Sequence, residues 1–144
     1  MGKGFAMRWC KNHEVLIGSR DAQRAQESAN EYMQAAKLVY GTMSGAITGA
    51  DNNSVAEQSD VLVLSIPYEN IDSICSGLLG KVKDGCTVIS PIVPMTKTDV
   101  GFEFLPLKEG KEFSHQSVQK HMKNKNKLVS AFHVISEKKL VDPN

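Results

Sequence analysis

The sequence predicts an α/β fold: a Rossmann-like, doubly wound parallel sheet with helices on both faces. Three observations predict it. Short apolar runs alternate with helical patterns along the 144 residues. One run, Asp60 to Pro67, is almost continuously apolar, as expected of a parallel strand covered on both faces. The runs end in Gly, Ser or Pro, where the chain turns toward the next element. Strands alternating with helices in this way build βαβ units.

The elements follow in order. A helical pattern covers Phe5 to Lys11, behind the opening MGKGF. Glu14 to Ile17 reads as a short strand, bounded by Asn12-His13 and Gly18. From Asp21 to Tyr40 there is neither Gly nor Pro, and Ala22, Ala25, Ala29, Met33 and Ala36 recur at helical spacing. These small residues suit close packing on a sheet, and Asp21 suits the positive end of the helix dipole. Ala46 to Thr48 is a weak strand, and Asn53 or Ser54 caps a short helix through Gln58. Asp60 to Pro67 is the strongest strand. A helix from Glu69 to Val82 gathers Ile71, Ile74, Cys75, Leu78 and Leu79 on one side. Cys86 to Ser90 is the next strand, stopped by Pro91 and Pro94. A Gly- and Pro-rich loop is expected as far as Gly110. A polar helix from Lys111 to Lys123 then precedes a last strand, from Lys127 to Ala131 or His133.

Composition narrows the function classes. Apolar residues make up 41% and charged residues 23%, ordinary for a soluble globular protein. A net charge of +1 gives no global field for nucleic acid or a membrane surface. The lysine excess between Lys111 and Lys127 reads as a solvated helix face. No apolar run approaches the ~20 residues needed to span a bilayer, and no signal-peptide pattern is visible. Cys10, Cys75 and Cys86 lack metal-ligand spacing and read as buried thiols of a reduced, cytoplasmic protein. His115 and His121 do not share a helix face, so they form no metal pair.

In an open parallel sheet, ligands bind beyond the carboxyl ends of the strands. That singles out Gly18-Ser19-Arg20, Ile66-Pro67-Tyr68, Ser90 to Pro94, and Ala131-Phe132-His133. In a dinucleotide-binding half, an acid after the second strand accepts from the ribose 2'-hydroxyl, whereas an arginine accommodates a 2'-phosphate. Here Ser19 offers a hydroxyl and Arg20 a forked guanidinium, with Arg24 one helical turn further on. The alternative for Arg20 is a solvated arginine at a helix start. The remaining carboxyl ends are mostly Ile, Pro, Val and Ala and offer no catalytic acid or base. Gly2 and Gly4 stand before a helix as in a phosphate loop, but no strand precedes them, and the first glycine pair of the fingerprint is absent. They also fit a frayed N-terminus. His133 by itself reads as a strand-end histidine satisfied by backbone.

The segments GKGFAMRW, HEVLIGSRDAQRAQESANEY, VLVLSIPYENI, VISPIVPM and LVSAFHVI occur in this order. The chain thereby resembles the NADPH-dependent F420 reductases (NADP:coenzyme F420 oxidoreductases) of archaea and bacteria. SIPYENI, SPIVP and SAFHVI carry most of the specificity. The same half is similar to the N-terminal domains of pyrroline-5-carboxylate reductases and STEAP-type metalloreductases.

The resemblance implies a single NADP-binding domain over residues 1–144. It is incomplete, with its first strand missing: that strand and most of the glycine loop lie ahead of Gly2-Lys3-Gly4 in the family. A smaller C-terminal helical domain that helps build a homodimer follows the equivalent of Asn144. Expected cofactors are NADP and, as co-substrate, coenzyme F420. Gly2 and Gly4 would be the last glycines of the phosphate loop. Ser19, Arg20 and Arg24 would hold the 2'-phosphate. Ile66, Pro67 and Tyr68 would pass beside the ribose and diphosphate. Ser90, Pro91, Ile92, Val93 and Pro94 would border the nicotinamide, and Ala131, Phe132 and His133 the deazaflavin. The family often has Trp at Tyr68 and proline at Ser136. Residues 1–144 are expected to bind NADP weakly or not at all, because the first strand's loop normally cradles the pyrophosphate. Other readings are a pyrroline-carboxylate or ferric reductase, or a non-catalytic remnant.

Overall fold

The structure, a computed structural model, describes residues 1–105 and 113–142. Its elements run α1 (Gly2–Trp9), β1 (Glu14–Ser19), α2 (Ala22–Tyr40), β2 (Ala46–Asp51), α3 (Asn52–Gln58), β3 (Val61–Val63), α4 (Ile71–Leu78), β4 (Thr87–Ser90), β5 (Met95–Thr98), β6 (Gly101–Phe104), α5 (Ser114–Gln119), β7 (Lys127–Ser130) and α6 (Glu137–Val141). Short 3-10 turns at Tyr68–Asn70 and Leu79–Lys81 flank α4. The chain divides into two compact units: Met1–Glu57 with Val134–Asn144, and Gln58–His133. Parallel strands linked by helices make both units α/β, as the alternating pattern predicts.

In the first unit, β1 and β2 pair in parallel from Glu14↔Ala46 to Ser19↔Asp51. The helix between them, α2, presents Ala25, Ala29 and Ala36 as its buried face. Small residues are needed because α2 lies almost on the backbone of β2. A Cβ at Gly49 would stand 2.3 Å from the backbone of Ala25 and Gln26. Ala22, predicted on the same face, is exposed. Ala6, Met7 and Cys10 of α1 close the core against Ala29, Ala36 and Ile47. Each large apolar side chain so buried contributes roughly 1.5–3 kcal/mol.

Two features of this unit correct the sequence reading. Neither Asn53 nor Ser54 caps α3. Asp51 does, accepting from the backbone N–H groups of Asn53 (3.0 Å) and Ser54 (3.1 Å) and from the Ser54 hydroxyl (2.5 Å). The Ser54 hydroxyl, then its N–H, holds the Asp51 carboxyl below the usual carboxylate range. A depressed folded-state pKa stabilises above the unfolded value of 3.8 and is lost as pH falls through the folded one. Asp51→Asn is therefore expected to lower stability near neutrality and to flatten the acid limb, the variant and the parent converging at low pH. Urea titrations across that range check this.

The second feature is α6, which the sequence reading omits. Ser136, there only a departure from a family proline, caps it by accepting from Lys139 N–H at 3.3 Å. At the other end, Arg8 donates to the carbonyls of Leu140 (2.8 Å), Lys139 (2.7 Å) and Asp142, completing carbonyls that a helix end leaves unpaired.

In the second unit the order is β3-β4-β7, all parallel. Leu62, Val88 and Val118 pack with Ile71, Cys75 and Leu79 into its core. Strand β3 is shorter than Asp60 to Pro67, although Leu64 N–H still reaches the Ile89 carbonyl at 2.9 Å. Nor is it covered throughout: Val61 is 52% exposed. The expected loop before Gly110 contains a hairpin, in which β5 and β6 pair antiparallel from Met95↔Phe104 to Thr98↔Gly101. Thr, Val and Phe around an Asp99-Val100-Gly101 turn supply that tendency. The polar helix starts later and ends earlier than predicted, at Ser114 and Gln119; Lys111 and Glu112 lie outside the described residues. Two lysines of the basic stretch are tied down: Lys123 donates to the Val82 carbonyl and Lys125 pairs with Asp84 at 2.7 Å.

Candidate functional site

The carboxyl end of β1 carries the first group of candidates. Ser19 is the last residue of the strand, beside Asp51 at the end of β2. Arg20 follows, and Asp21 caps α2 by accepting from Gln23 N–H (2.9 Å) and Arg24 N–H (3.1 Å). Both nearby acids, Asp21 and Asp51, are thus engaged by helix N-termini and do not face the arginines as partners. Arg20 and Arg24 are exposed, and their guanidinium groups make no hydrogen bond or ion pair among the described residues. This is a cationic corner without a free acid, chemistry suited to a phosphate rather than a ribose diol.

Gly2 and Gly4 lie inside α1 rather than in a loop ahead of it. A Cβ at Gly4 would stand 2.4 Å from Leu140 Cβ. The packing of α6 on α1 requires that a side chain be absent there.

The carboxyl ends of β3, β4 and β7 carry the second group. Parallel register places them side by side: Ser90 is opposite Ser130, and Ala131 N–H donates to the Ser90 carbonyl at 3.3 Å. Ile66-Pro67-Tyr68 follows β3 and leads into the 3-10 turn before α4. Ser90, Pro91 and Ile92 are buried, whereas Val93 is exposed. The Ser90 hydroxyl is enclosed and has no hydrogen-bond partner among the described residues, an arrangement that costs about 1–3 kcal/mol. After β7, Phe132 sits at φ 70°, a left-handed backbone rare for a bulky residue. Such strain costs of order 1–3 kcal/mol and clusters at ligand sites. His133, next in the chain, is exposed and has no hydrogen bond among the described residues.

The other candidate groups resolve simply. His115 Nδ1 lies 2.7 Å from Ser130 Oγ, and His121 pairs with Asp72 at 2.9 Å. Among the described residues no three of His, Cys, Asp and Glu are grouped to hold a metal, and no helix is long and apolar enough to cross a membrane. Cys10, Cys75 and Cys86 are free and buried. Burial pushes the Cys75 thiol up to about 11 and raises the other two, so none is a nucleophile at neutral pH.

Residues 1–94 match the family model described as "NADP oxidoreductase coenzyme F420-dependent". The chain belongs to this family. A family member called F420-dependent NADP reductase, from Methanocaldococcus jannaschii, is 31% identical over 141 residues, covering 98% of this chain and 61% of the relative. Its namesakes from Methanothermobacter thermautotrophicus and Methanothermobacter marburgensis are each 32% identical, over 95 and 92 residues, covering 65% and 60% of this chain. The chain spans 39% of the length of each of these two. The family match includes the β1–α2 junction, Ile66-Pro67-Tyr68 and Ser90 to Pro94. Ala131 to His133 lie beyond the family match but within the alignment to the Methanocaldococcus protein, which covers 98% of this chain.

Proposed function

We propose that the protein transfers hydride between NADPH and the deazaflavin coenzyme F420. The observation that carries this is the β1–α2 junction of a family member: two arginines without acidic partners among the described residues, and two acids already engaged by helix caps. Ser19, Arg20 and Arg24 hold the 2'-phosphate and so select NADP over NAD. Ile66, Pro67 and Tyr68 pass beside the ribose and diphosphate. Ser90, Pro91, Val93 and Pro94 border the nicotinamide. Ala131 and His133 border the deazaflavin. When bound, the two rings themselves carry the hydride chemistry, from nicotinamide C4 to deazaflavin C5. The chain's part is to orient the rings and keep water out, which the buried Pro91 and Ile92 suit. No residue needs to move a proton at that step.

The test is turnover: NADPH oxidation coupled to F420 reduction, with NADH as comparison donor and pyrroline-carboxylate and ferric complexes as comparison acceptors. The expected result is F420 reduction with NADPH preferred. Equal use of NADH, or turnover confined to another acceptor, overturns the proposal. A second reading, a nucleotide-binding module without turnover, draws on the strand edges: among the described residues nothing pairs with the open edge of β1 or of β3. Nucleotide binding without reduction of any acceptor would select it.

A further inference from the structure

We infer that the start of α5 is a clasp that positions the two loops framing the hydride-transfer site, with Ser114, His115 and Ser130 as positioning residues. The inference rests on the proposed function for its purpose and on geometry within the second unit for its form. Ser114 Oγ donates to the Ile92 carbonyl at 2.8 Å, gripping the loop after β4. The next residue, His115, meets Ser130 Oγ through Nδ1 at 2.7 Å, gripping the end of β7. Two consecutive side chains thus tie both loops to one helix. A third bond ties the loops to each other, Ala131 N–H to the Ser90 carbonyl at 3.3 Å.

The gripped segments are the unusual ones. Downstream of Ser130 comes Phe132 at φ 70°, a conformation that persists only where its surroundings hold it. Upstream of Ile92 comes Ser90, whose hydroxyl is enclosed and has no partner among the described residues. Release of either loop would let Phe132 relax and Ser90 hydrate. The clasp touches neither ring; it acts through Ser90 to Ile92 and through Ala131 to His133. Ring-to-ring placement tolerates little error, since about 1 Å of misplacement can cost roughly 100-fold in rate.

The test compares His115→Ala and Ser130→Ala with His115→Asn and Ser130→Thr in the full chain. The Asn amide can stand where Nδ1 does, and Thr keeps the hydroxyl. Three quantities are read: F420 affinity by fluorescence titration, amide hydrogen exchange at Ala131, and thermal midpoint. The alanine variants are expected to weaken F420 binding about tenfold and speed exchange at Ala131 by a similar factor. The thermal midpoint should move only a few degrees, and the Asn and Thr variants should recover most of both losses. Unchanged exchange at Ala131 in His115→Ala overturns the clasp, as does equal damage from Ser130→Thr and Ser130→Ala. If the unsubstituted chain binds no F420, the proposed function fails by itself. The clasp is then judged by exchange alone, where protection lost with alanine and restored with asparagine still supports it.

Discussion

Arg20→Glu is expected to weaken binding of 2',5'-ADP by about 100-fold while leaving 5'-ADP almost unchanged. The probe is chosen because its 2'-phosphate engages the β1–α2 junction directly, so the result does not depend on how firmly the rest of a dinucleotide is held. Charge-assisted hydrogen bonds contribute about 1.5–3 kcal/mol, and each 1.4 kcal/mol is tenfold in affinity. Reversing the charge adds repulsion between a carboxylate and the phosphate, which places the loss at the upper end. Arg24→Ala, removing the second guanidinium one turn into α2, is expected to cost about tenfold. Titration calorimetry at two salt concentrations checks both, since an exposed ion contact must weaken as salt rises. Equal affinity of the unsubstituted protein for 2',5'-ADP and 5'-ADP would remove the argument from Arg20 altogether.

That corner was legible in the sequence because every participant is local. Ser19, Arg20, Asp21 and Arg24 lie within one strand end and one helical turn, so spacing alone brings them together. Helix α2 was legible for a similar reason: a long uninterrupted helical stretch with an alanine stripe has few other uses. The carboxyl-end rule located the loops after β3, β4 and β7, and register then placed Ser90 beside Ser130. What stayed hidden depends on distant partners. Helix α6 has five residues, too few to be stable alone, and owes its form to Ser136 at one end and Arg8 of α1 at the other. The packing of Leu140 against Gly4 joins residues near opposite ends of the sequence, which spacing does not reveal. The Asp51 cap was missed because Asn53 and Ser54 are equally good capping residues, and only the strand's true end at Asp51 decides among them. The hairpin β5–β6 was missed because two four-residue strands barely outlast the turn between them.

The largest expected effect on the fold itself belongs to Gly49→Val. An added Cβ there would stand 2.3 Å from Ala25 C and Gln26 N and 2.4 Å from the Ala25 carbonyl oxygen. These are backbone atoms of α2, so no side-chain rotation relieves the clash. The helix must lift from β2, opening the seam that Ala29, Ala36 and Ile47 close and breaking the bond from Gly49 N–H to Gln26 Oε1 at 3.2 Å. Overpacking usually costs about 1–3 kcal/mol, occasionally more; a clash with backbone belongs at or beyond that upper end. Against a total stability of order 5–15 kcal/mol, that is a large share of the margin. Gly77→Ala is the control. It lies in α4, and nothing within 4 Å would meet its Cβ. Removing a helical glycine there should stabilise by about 0.5–1 kcal/mol. Chemical denaturation of both variants checks the contrast, and a Gly49→Val protein as stable as the parent would mean that α2 does not lie where its alanine stripe places it. Because Arg24 rides on the first turn of α2, the same lift should also weaken 2',5'-ADP binding without touching either arginine, joining the packing of the helix to the phosphate corner at its end.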